Sequence, residues 1–414
     1  MKEPNIRFKG FRGEWKTSII GDIATFSKGR GYSKSDLRSE GNPIVLYGRL
    51  YTNYASVIES VDTFASLQNG SVLTKGNEVI IPGSGETPED IAVASAVEQK
   101  GVILGGDLNV LTFDQEKISP AFAAMSITYS NTHNELSGYA QGKTVVHLHN
   151  SSISKGHISY PYIDEQQSIS TYFQHLDALI QSTTKKIESL KQVKAASLLS
   201  MFPQEGETTP RVRFKGFEGE WEKVLIGKMG VTYSGLSGKT KDDFGFGEAR
   251  FITFLNVLTN AKIDNSILEP VNVNRDEHQN EVRKGDLLFN TSSETPEEVG
   301  MCAVMDERLE NVYLNSFCFG FRVTDNNIDP TCVAYMMRSH IGRRIMSILA
   351  QGATRYNLSK NSFCKAVLVL PKNIAEQHAI ASYFTNLDRQ ITLQSQRLEK
   401  LKQIKAACLD NMFV

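Results

Sequence analysis

The stretch Glu165-Gln-Gln-Ser-Ile-Ser-Thr-Tyr-Phe-Gln-His-Leu-Asp177 returns 211 residues later as Glu376-Gln-His-Ala-Ile-Ala-Ser-Tyr-Phe-Thr-Asn-Leu-Asp388. Both copies run on into a Leu-Lys-Gln-(Val/Ile)-Lys-Ala-Ala block and reach Met-Phe. In the first, Ile169, Leu176 and Leu190 fall on one heptad position and Phe173, Ile180 and Ile187 on the other. The second keeps the register, with Ile380, Leu387 and Leu401 against Phe384, Ile391 and Leu398, while Lys185, Lys186, Lys191, Arg397 and Lys402 lie off the seam. This is the pattern of a long helix with a narrow apolar stripe. At about 1.5 Å per residue such a helix reaches roughly 55 Å, more than a domain of this size needs for its own core. Two matching stripes on one chain cover each other if the helices pair as an antiparallel coiled coil, with one globular domain at each end and a pseudo-two-fold relation between the halves. The alternative is that each helix packs on its own domain.

A second echo opens each half. Arg7-Phe-Lys-Gly-Phe-Arg-Gly-Glu-Trp15 reappears 206 residues on as Arg213-Phe-Lys-Gly-Phe-Glu-Gly-Glu-Trp221. Pro161 and Pro371 lie just ahead of the helical runs, Pro203 stops the first, and Gln204-Glu-Gly-Glu-Thr-Thr-Pro210 is a polar linker. The divisions are therefore residues 1–163, a first globular domain; 164–203, a first long helix; 204–373, a second globular domain; and 374–414, a second long helix. Solenoid repeats run roughly 20 to 50 residues, so repeats of this length are whole domains. The globular parts mix short β-like runs (Pro43-Ile-Val-Leu46, Val79-Ile-Ile81, Val102-Ile-Leu104, Asp286-Leu-Leu-Phe289, Ala366-Val-Leu-Val-Leu370) with Gly-rich turns and a helical stretch over residues 330–349. Without regular βαβ alternation, the class is α+β.

Composition narrows the function. With 414 residues, 40% hydrophobic and 22% charged, the chain has the material for two cores. The start, Met-Lys-Glu-Pro-Asn-Ile-Arg-Phe, lacks a signal-peptide apolar region, and Ile91-Ala-Val-Ala-Ser-Ala-Val97 is too short to span a bilayer. A soluble cytoplasmic protein with no membrane partner is expected. Cys302, Cys318, Cys332, Cys364 and Cys408 all lie in the second half without C-x-x-C spacing, which reads as reduced thiols rather than a disulfide framework or zinc site. A net charge of −1 excludes a generally cationic coat but leaves room for local basic patches.

The tempting catalytic motifs fail. Gly238-Lys-Thr240 and Gly142-Lys-Thr144 resemble the end of a P-loop, but the leading glycine is replaced by Tyr233 and Ser137. Phe244-Gly-Phe-Gly247 lacks a preceding strand and a third glycine, and His147-x-His149 lacks a third ligand nearby. Pro88-Glu-Asp followed by Glu98-Gln-Lys100 faintly suggests a nuclease core, yet Glu294-Thr-Pro-Glu-Glu298 offers no matching lysine; the shared Glu-Thr-Pro-Glu reads as a loop entering a helix. No Asn/Asp-Pro-Pro-aromatic tetrapeptide of an amino-methyltransferase is present. No catalytic, cofactor-binding or metal-ligating residue is assigned.

What remains are glycine-containing loops with interleaved basic, aromatic and amide residues. In the first half these supply Lys28, Arg30, Tyr32, Lys34, Tyr47, Arg49 and Lys143; in the second, Lys239, Lys241, Arg355, Tyr356, Asn357 and Lys360. Lys and Arg neutralise phosphates, Arg and Asn can contact base edges in pairs, and glycine lets backbone approach closely. Taken alone, each loop reads first as a solvated surface loop. Comparable loops in both halves favour DNA contact.

This layout resembles the DNA-specificity (S) subunit of type I restriction-modification systems over essentially the whole chain. The resemblance is carried by Glu165-Gln166, Ile169 and Leu176-Asp177, by Glu376-Gln377, Ile380 and Leu387-Asp388, and by Trp15 and Trp221 opening the two domains. It implies a non-catalytic chain whose two target-recognition domains each read one part of a bipartite duplex target, with the paired helices setting the gap. It also implies two modification subunits that use S-adenosylmethionine to methylate adenine, and two restriction subunits that use ATP and Mg. The rival readings are a coiled-coil scaffold without DNA binding and an enzyme with an unusual motif.

Overall fold

The computed structural model describes residues 3–274 and 276–414 and divides the chain into two compact units, Met1–Thr184 with Gln396–Val414, and Lys185–Ser395. Both divisions fall inside long helices, which run Ile163–Ser200 and Ile374–Met412. Each unit is mixed α and β, and the two repeat one plan.

In the first unit a five-stranded sheet has the order Val57–Ile58, Ser95–Val97, Glu78–Pro82, Leu108–Phe113, Ala24–Lys28. A second sheet of four strands is built around Asn42–Val45. In the second unit four strands run Gly230–Ser234, Cys318–Val323, Asp286–Asn290, Cys302–Val304, and three are centred on Phe244–Ile252. The β-like runs of the sequence sit in these sheets or in the edge strand Val367–Leu370. Central strands such as Glu78–Pro82 and Asp286–Asn290 are buried along their whole length, which is why they read as continuous apolar runs rather than alternating ones.

The stretch over 330–349 is two helices, Pro330–Arg338 and His340–Leu349, not one. Ser339 ends the first and caps the second by accepting the Gly342 N–H at 3.3 Å. At Gly342 a Cβ would lie 2.1 Å from the Met336 carbonyl oxygen, so only glycine permits this corner.

The repeated Glu-Gln pair locks the globular part onto its helix. Glu165, 2% exposed, receives two bonds from the Arg7 guanidinium, 2.6 Å from Nε and 2.7 Å from Nη2. Gln166 accepts the Ser119 N–H and donates to the carbonyls of Lys117 and Pro161, each at 2.8 Å. The second unit repeats the device with Arg213 on Glu376 at 2.6 and 2.8 Å, and with Gln377 between Asp329 N–H and the carbonyls of Asn327 and Pro371. This explains why the Arg-Phe-Lys-Gly-Phe echo and the Glu-Gln echo occur together.

Helix meets helix inside each unit, and the direction is antiparallel. In the first unit the Tyr172 hydroxyl meets Cys408 Sγ at 3.5 Å, Asp177 pairs with Lys405, and Phe413 packs on Phe173 and Phe122 at 5.9 and 5.7 Å between ring centres. In the second, Ser197 and Tyr383 share a 2.9 Å hydroxyl bond, Lys194 pairs with Asp388, and Phe202 stacks on Phe384 at 5.9 Å. The Leu-Asp and Leu-Lys-Gln-x-Lys motifs are thus each other's partners. Ile169, Phe173, Leu176, Ile187, Ile380, Phe384 and Leu387 are buried, and Ile180, Leu190, Ile391, Leu398 and Leu401 are half-buried. Full burial of such side chains contributes about 1.5 to 3 kcal/mol each. No helix among the described residues is long and apolar enough to cross a membrane.

Candidate nucleic-acid interface

In the first unit, Ala24–Lys28 and Glu78–Pro82 both pair antiparallel with Leu108–Phe113, so the loops after the first two and before the third emerge at one end of the sheet. There, Gly106 N–H bonds the Gly31 carbonyl at 2.5 Å and Ser84 hydroxyl bonds the Asp107 carboxylate. The strand Ser84–Gly85 pairs with Val146–His147, on the hairpin bearing Lys143. Tyr51 hydroxyl donates to the Ser84 carbonyl at 2.7 Å, bringing in the helix Arg49–Thr52. Five segments far apart in sequence, around residues 31, 51, 84, 106 and 146, thus form one surface.

The second unit builds the same end. Lys360 Nζ reaches Ser234 Oγ at 2.7 Å, Leu358 N–H bonds the Thr291 carbonyl at 2.8 Å, and Ser292–Ser293 pairs with Tyr356–Asn357. The loops around Tyr32 and Lys239 are equivalent: Gly31 and Gly238 have φ of 61° and 67°, and each is followed by a capping box, Ser33 with Asp36 and Thr240 with Asp243.

Of the residues picked from sequence, Lys28, Arg30, Lys34, Tyr47, Lys143, Lys241, Arg355 and Asn357 are exposed, while Tyr356 and Lys360 are half-covered. Lys360, bonded to Ser234, and Arg355, whose Nε donates to Ser292 Oγ at 3.2 Å, are tethered at one atom, and Tyr32, Arg49 and Lys239 are held more firmly inside the fold. Tyr32 hydroxyl is held by Ser71 Oγ at 2.5 Å and the Ser66 carbonyl at 3.1 Å. Arg49 donates to Asp62 at 2.8 Å, and that bond holds the Asp62 carboxyl below its usual range. Lys239, with only 5% of its side chain exposed, donates to Glu277 at 2.6 Å and holds that carboxyl down to about 2. Tyr32 and Lys239 occupy matching positions, and both brace their loop against a neighbouring one. Lys34 and Lys241, two residues on, are exposed and have no ion-pair partner among the described residues.

If this surface meets duplex DNA, substituting Lys241 by alanine should reduce the salt slope of the affinity by about one, the signature of a lost phosphate contact. Substituting Lys239 should leave that slope unchanged and loosen the loop. An equal drop for both, measured by titration at several salt concentrations, would overturn this division.

Sequence reasoning weighed His147 and His149 only as metal ligands and passed over Phe317, and all three are exposed on this surface. His147 and His149 stand parallel with ring centres 6.2 Å apart, and Phe317, at the position matching Asp107, is 58% exposed. Nothing in a sequence marks an aromatic as exposed; the clue is a phenylalanine in a turn, two residues after Asn315, whose carboxamide accepts its N–H at 2.8 Å. Among the described residues no three His, Cys, Asp or Glu side chains gather as a metal site.

Residues 12–192 and 219–403 each match the type I restriction modification DNA specificity domain. A putative type I restriction enzyme MjaX specificity subunit from Methanocaldococcus jannaschii is 24% identical over 201 residues, covering 47% of this chain and 45% of that relative. The chain thus matches less than half the length of that curated relative. The type I restriction-modification system S subunit from M. genitalium has a similar fold, with a TM-score of 0.60 over 100% of this chain and 99% of that one at 14% identity. A chain solved in work on complex assembly and conformational transition of the type I R-M system gives a TM-score of 0.50, 16% identity and coverage of 96% and 97%. With two copies of the domain spanning most of its length, the chain belongs to the type I restriction modification DNA specificity domain family.

Proposed function

We propose that this chain is the specificity subunit of a type I restriction-modification complex: it binds duplex DNA at a bipartite target, one part per unit, and carries no catalytic centre itself. The observation that carries this reading is the pair of matched loop surfaces, one per specificity domain, each with exposed cations and amides at one end of its sheet. Cations such as Lys28, Arg30, Lys34, Lys143, Lys241 and Arg355 position the duplex through phosphates, and amides such as Asn357 reach base edges. The partners are two modification subunits, which bring S-adenosylmethionine and flip the target adenine, and two restriction subunits, which bring ATP and Mg. The long helices set the gap between half-targets, in the cytoplasm where the DNA lies.

The test is domain exchange in the assembled complex. Replacing residues 1–163 with another recognition domain should change one half-target and leave the other half and the gap intact, as read by mapping methylated sites. A change in both halves, or sequence-independent methylation by the unaltered complex, would defeat the reading.

A further inference from the structure

Two loops in each unit share identical residues, several of them exposed and without a side-chain partner among the described residues. Ser84-Gly-Glu-Thr-Pro-Glu89 matches Ser292-Ser-Glu-Thr-Pro-Glu297, and Gln141-Gly-Lys-Thr144 matches Gln351-Gly-Ala-Thr354. In both units the two loops are joined through backbone. Gly85 lies opposite Val146 and Ser293 opposite Tyr356, while isolated bridges link Gln141 with His147 and Gln351 with Asn357.

Part of this identity has a folding cause. Gly142 and Gly352 have φ of 140° and 144°, and a Cβ would come within 2.0 and 2.1 Å of the carbonyl oxygens of Val145 and Arg355. Pro88 and Pro296 open short helical turns. Glu86, Gln141 and Thr144, with Glu294, Gln351 and Thr354, have no such cause. All six are exposed, and no side chain or backbone group among the described residues bonds or pairs with their side chains. Around them the surface differs between units: Lys143 against Ala353, Val145 against Arg355, Asp107 against Phe317.

Identical groups cannot distinguish two different half-targets; they suit a feature that both share. Phosphates are shared, but a carboxylate is repelled by them. In the major groove cytosine N4 keeps one N–H free of base pairing, which a carboxylate accepts, and the paired guanine presents O6 and N7 to a glutamine amide N–H. Building on the DNA-specificity reading, we propose that in each unit these joined loops read one cytosine·guanine pair common to both half-targets. Glu86 and Gln141, or Glu294 and Gln351, take its major-groove edge. Thr144 or Thr354 takes the adjoining phosphate. The loops that differ between units read the rest.

The experiment selects bound duplexes from a randomised pool with the assembled complex, comparing wild type with E86Q, Q141A, E294Q and Q351A. Because all four sites are exposed, melting should match wild type. E294Q and Q351A should relax discrimination about tenfold at one position of the half-target read by the second unit. E86Q and Q141A should do so at the matching position of the other half, with the rest of each preference kept. The proposal is overturned if affinity falls equally for all sequences, if selection is unchanged, if the variants instead lose modification subunits in a pull-down, or if the two half-targets share no such base pair. A wild-type complex that selects no sequence defeats the DNA-specificity reading itself, which is a separate failure.

Discussion

Replacing Arg213 with alanine should cost the second unit about 3 to 5 kcal/mol, because it leaves the Glu376 carboxylate, 1% exposed, without its counter-charge. At roughly 2 to 4 °C per kcal/mol for units of this size, melting should fall by about 6 to 20 °C. The pair is not simply a source of stability, since two charges were desolvated to make it. Changing both partners together to apolar side chains of similar length, Arg213→Met with Glu376→Met, should therefore recover most of the loss. Each unit holds one tryptophan, Trp15 in the first and Trp221 in the second, both buried, so fluorescence of a Trp15→Phe background reports the second unit alone. A loss below about 1 kcal/mol for Arg213→Ala in urea unfolding would contradict the assigned role. Arg7→Ala should do the same to the first unit through Glu165.

The other large effect is expected at two phenylalanines that close the repeated Met-Phe ends. Phe202 is fully buried between Phe384 and Trp221, and Phe413, 8% exposed, packs on Phe122, Phe173 and Tyr129. Truncation of either to alanine should cost about 3 to 5 kcal/mol. Phe202→Ala should shift unfolding seen by Trp221, whereas Phe413→Ala, next to the last residue of this sequence, should shift unfolding seen by Trp15. Loss confined to the Trp221 signal in both variants would refute the packing of Phe413 into the first unit. The same swap of reporter would sink the antiparallel pairing of helix ends.

The long helices were legible because heptad spacing is a local periodic signal, and the seam residues from Ile169 to Leu401 are buried or half-buried as that spacing requires. The buried strands were legible as apolar runs. The helical stretch over 330–349 was read without its corner, since Ser339 looks like any helix-tolerated serine until Gly342 is seen to touch the preceding turn. The loops were harder for a different reason. Lys239 and Lys241 are chemically alike and two residues apart, and what separates them is Glu277, brought in by a loop 38 residues away. Arg49 and Asp62 are a similar case. Whether a surface cation is free or spent internally is decided by tertiary neighbours, and no spacing rule encodes it. The Glu-Gln motif was visible as a repeat, but its work, clamping Arg7 or Arg213 and capping a distant helix entrance, needs the fold to be seen.

The first unit borrows its closing residues, Gln396–Val414, from beyond the second unit, which is continuous from Lys185 to Ser395. During ribosomal synthesis at about 5 to 20 residues per second, the first-made unit thus waits roughly 10 to 50 seconds after Thr184 for its final helix segment. Phe122 and Phe173 lack Phe413 throughout that interval. Birth order and completion order are reversed: the later-made unit has its full chain first. The ageing nascent chain carries an open apolar seam until its last turn of helix emerges, a window in which a chaperone or a second nascent copy can compete for it.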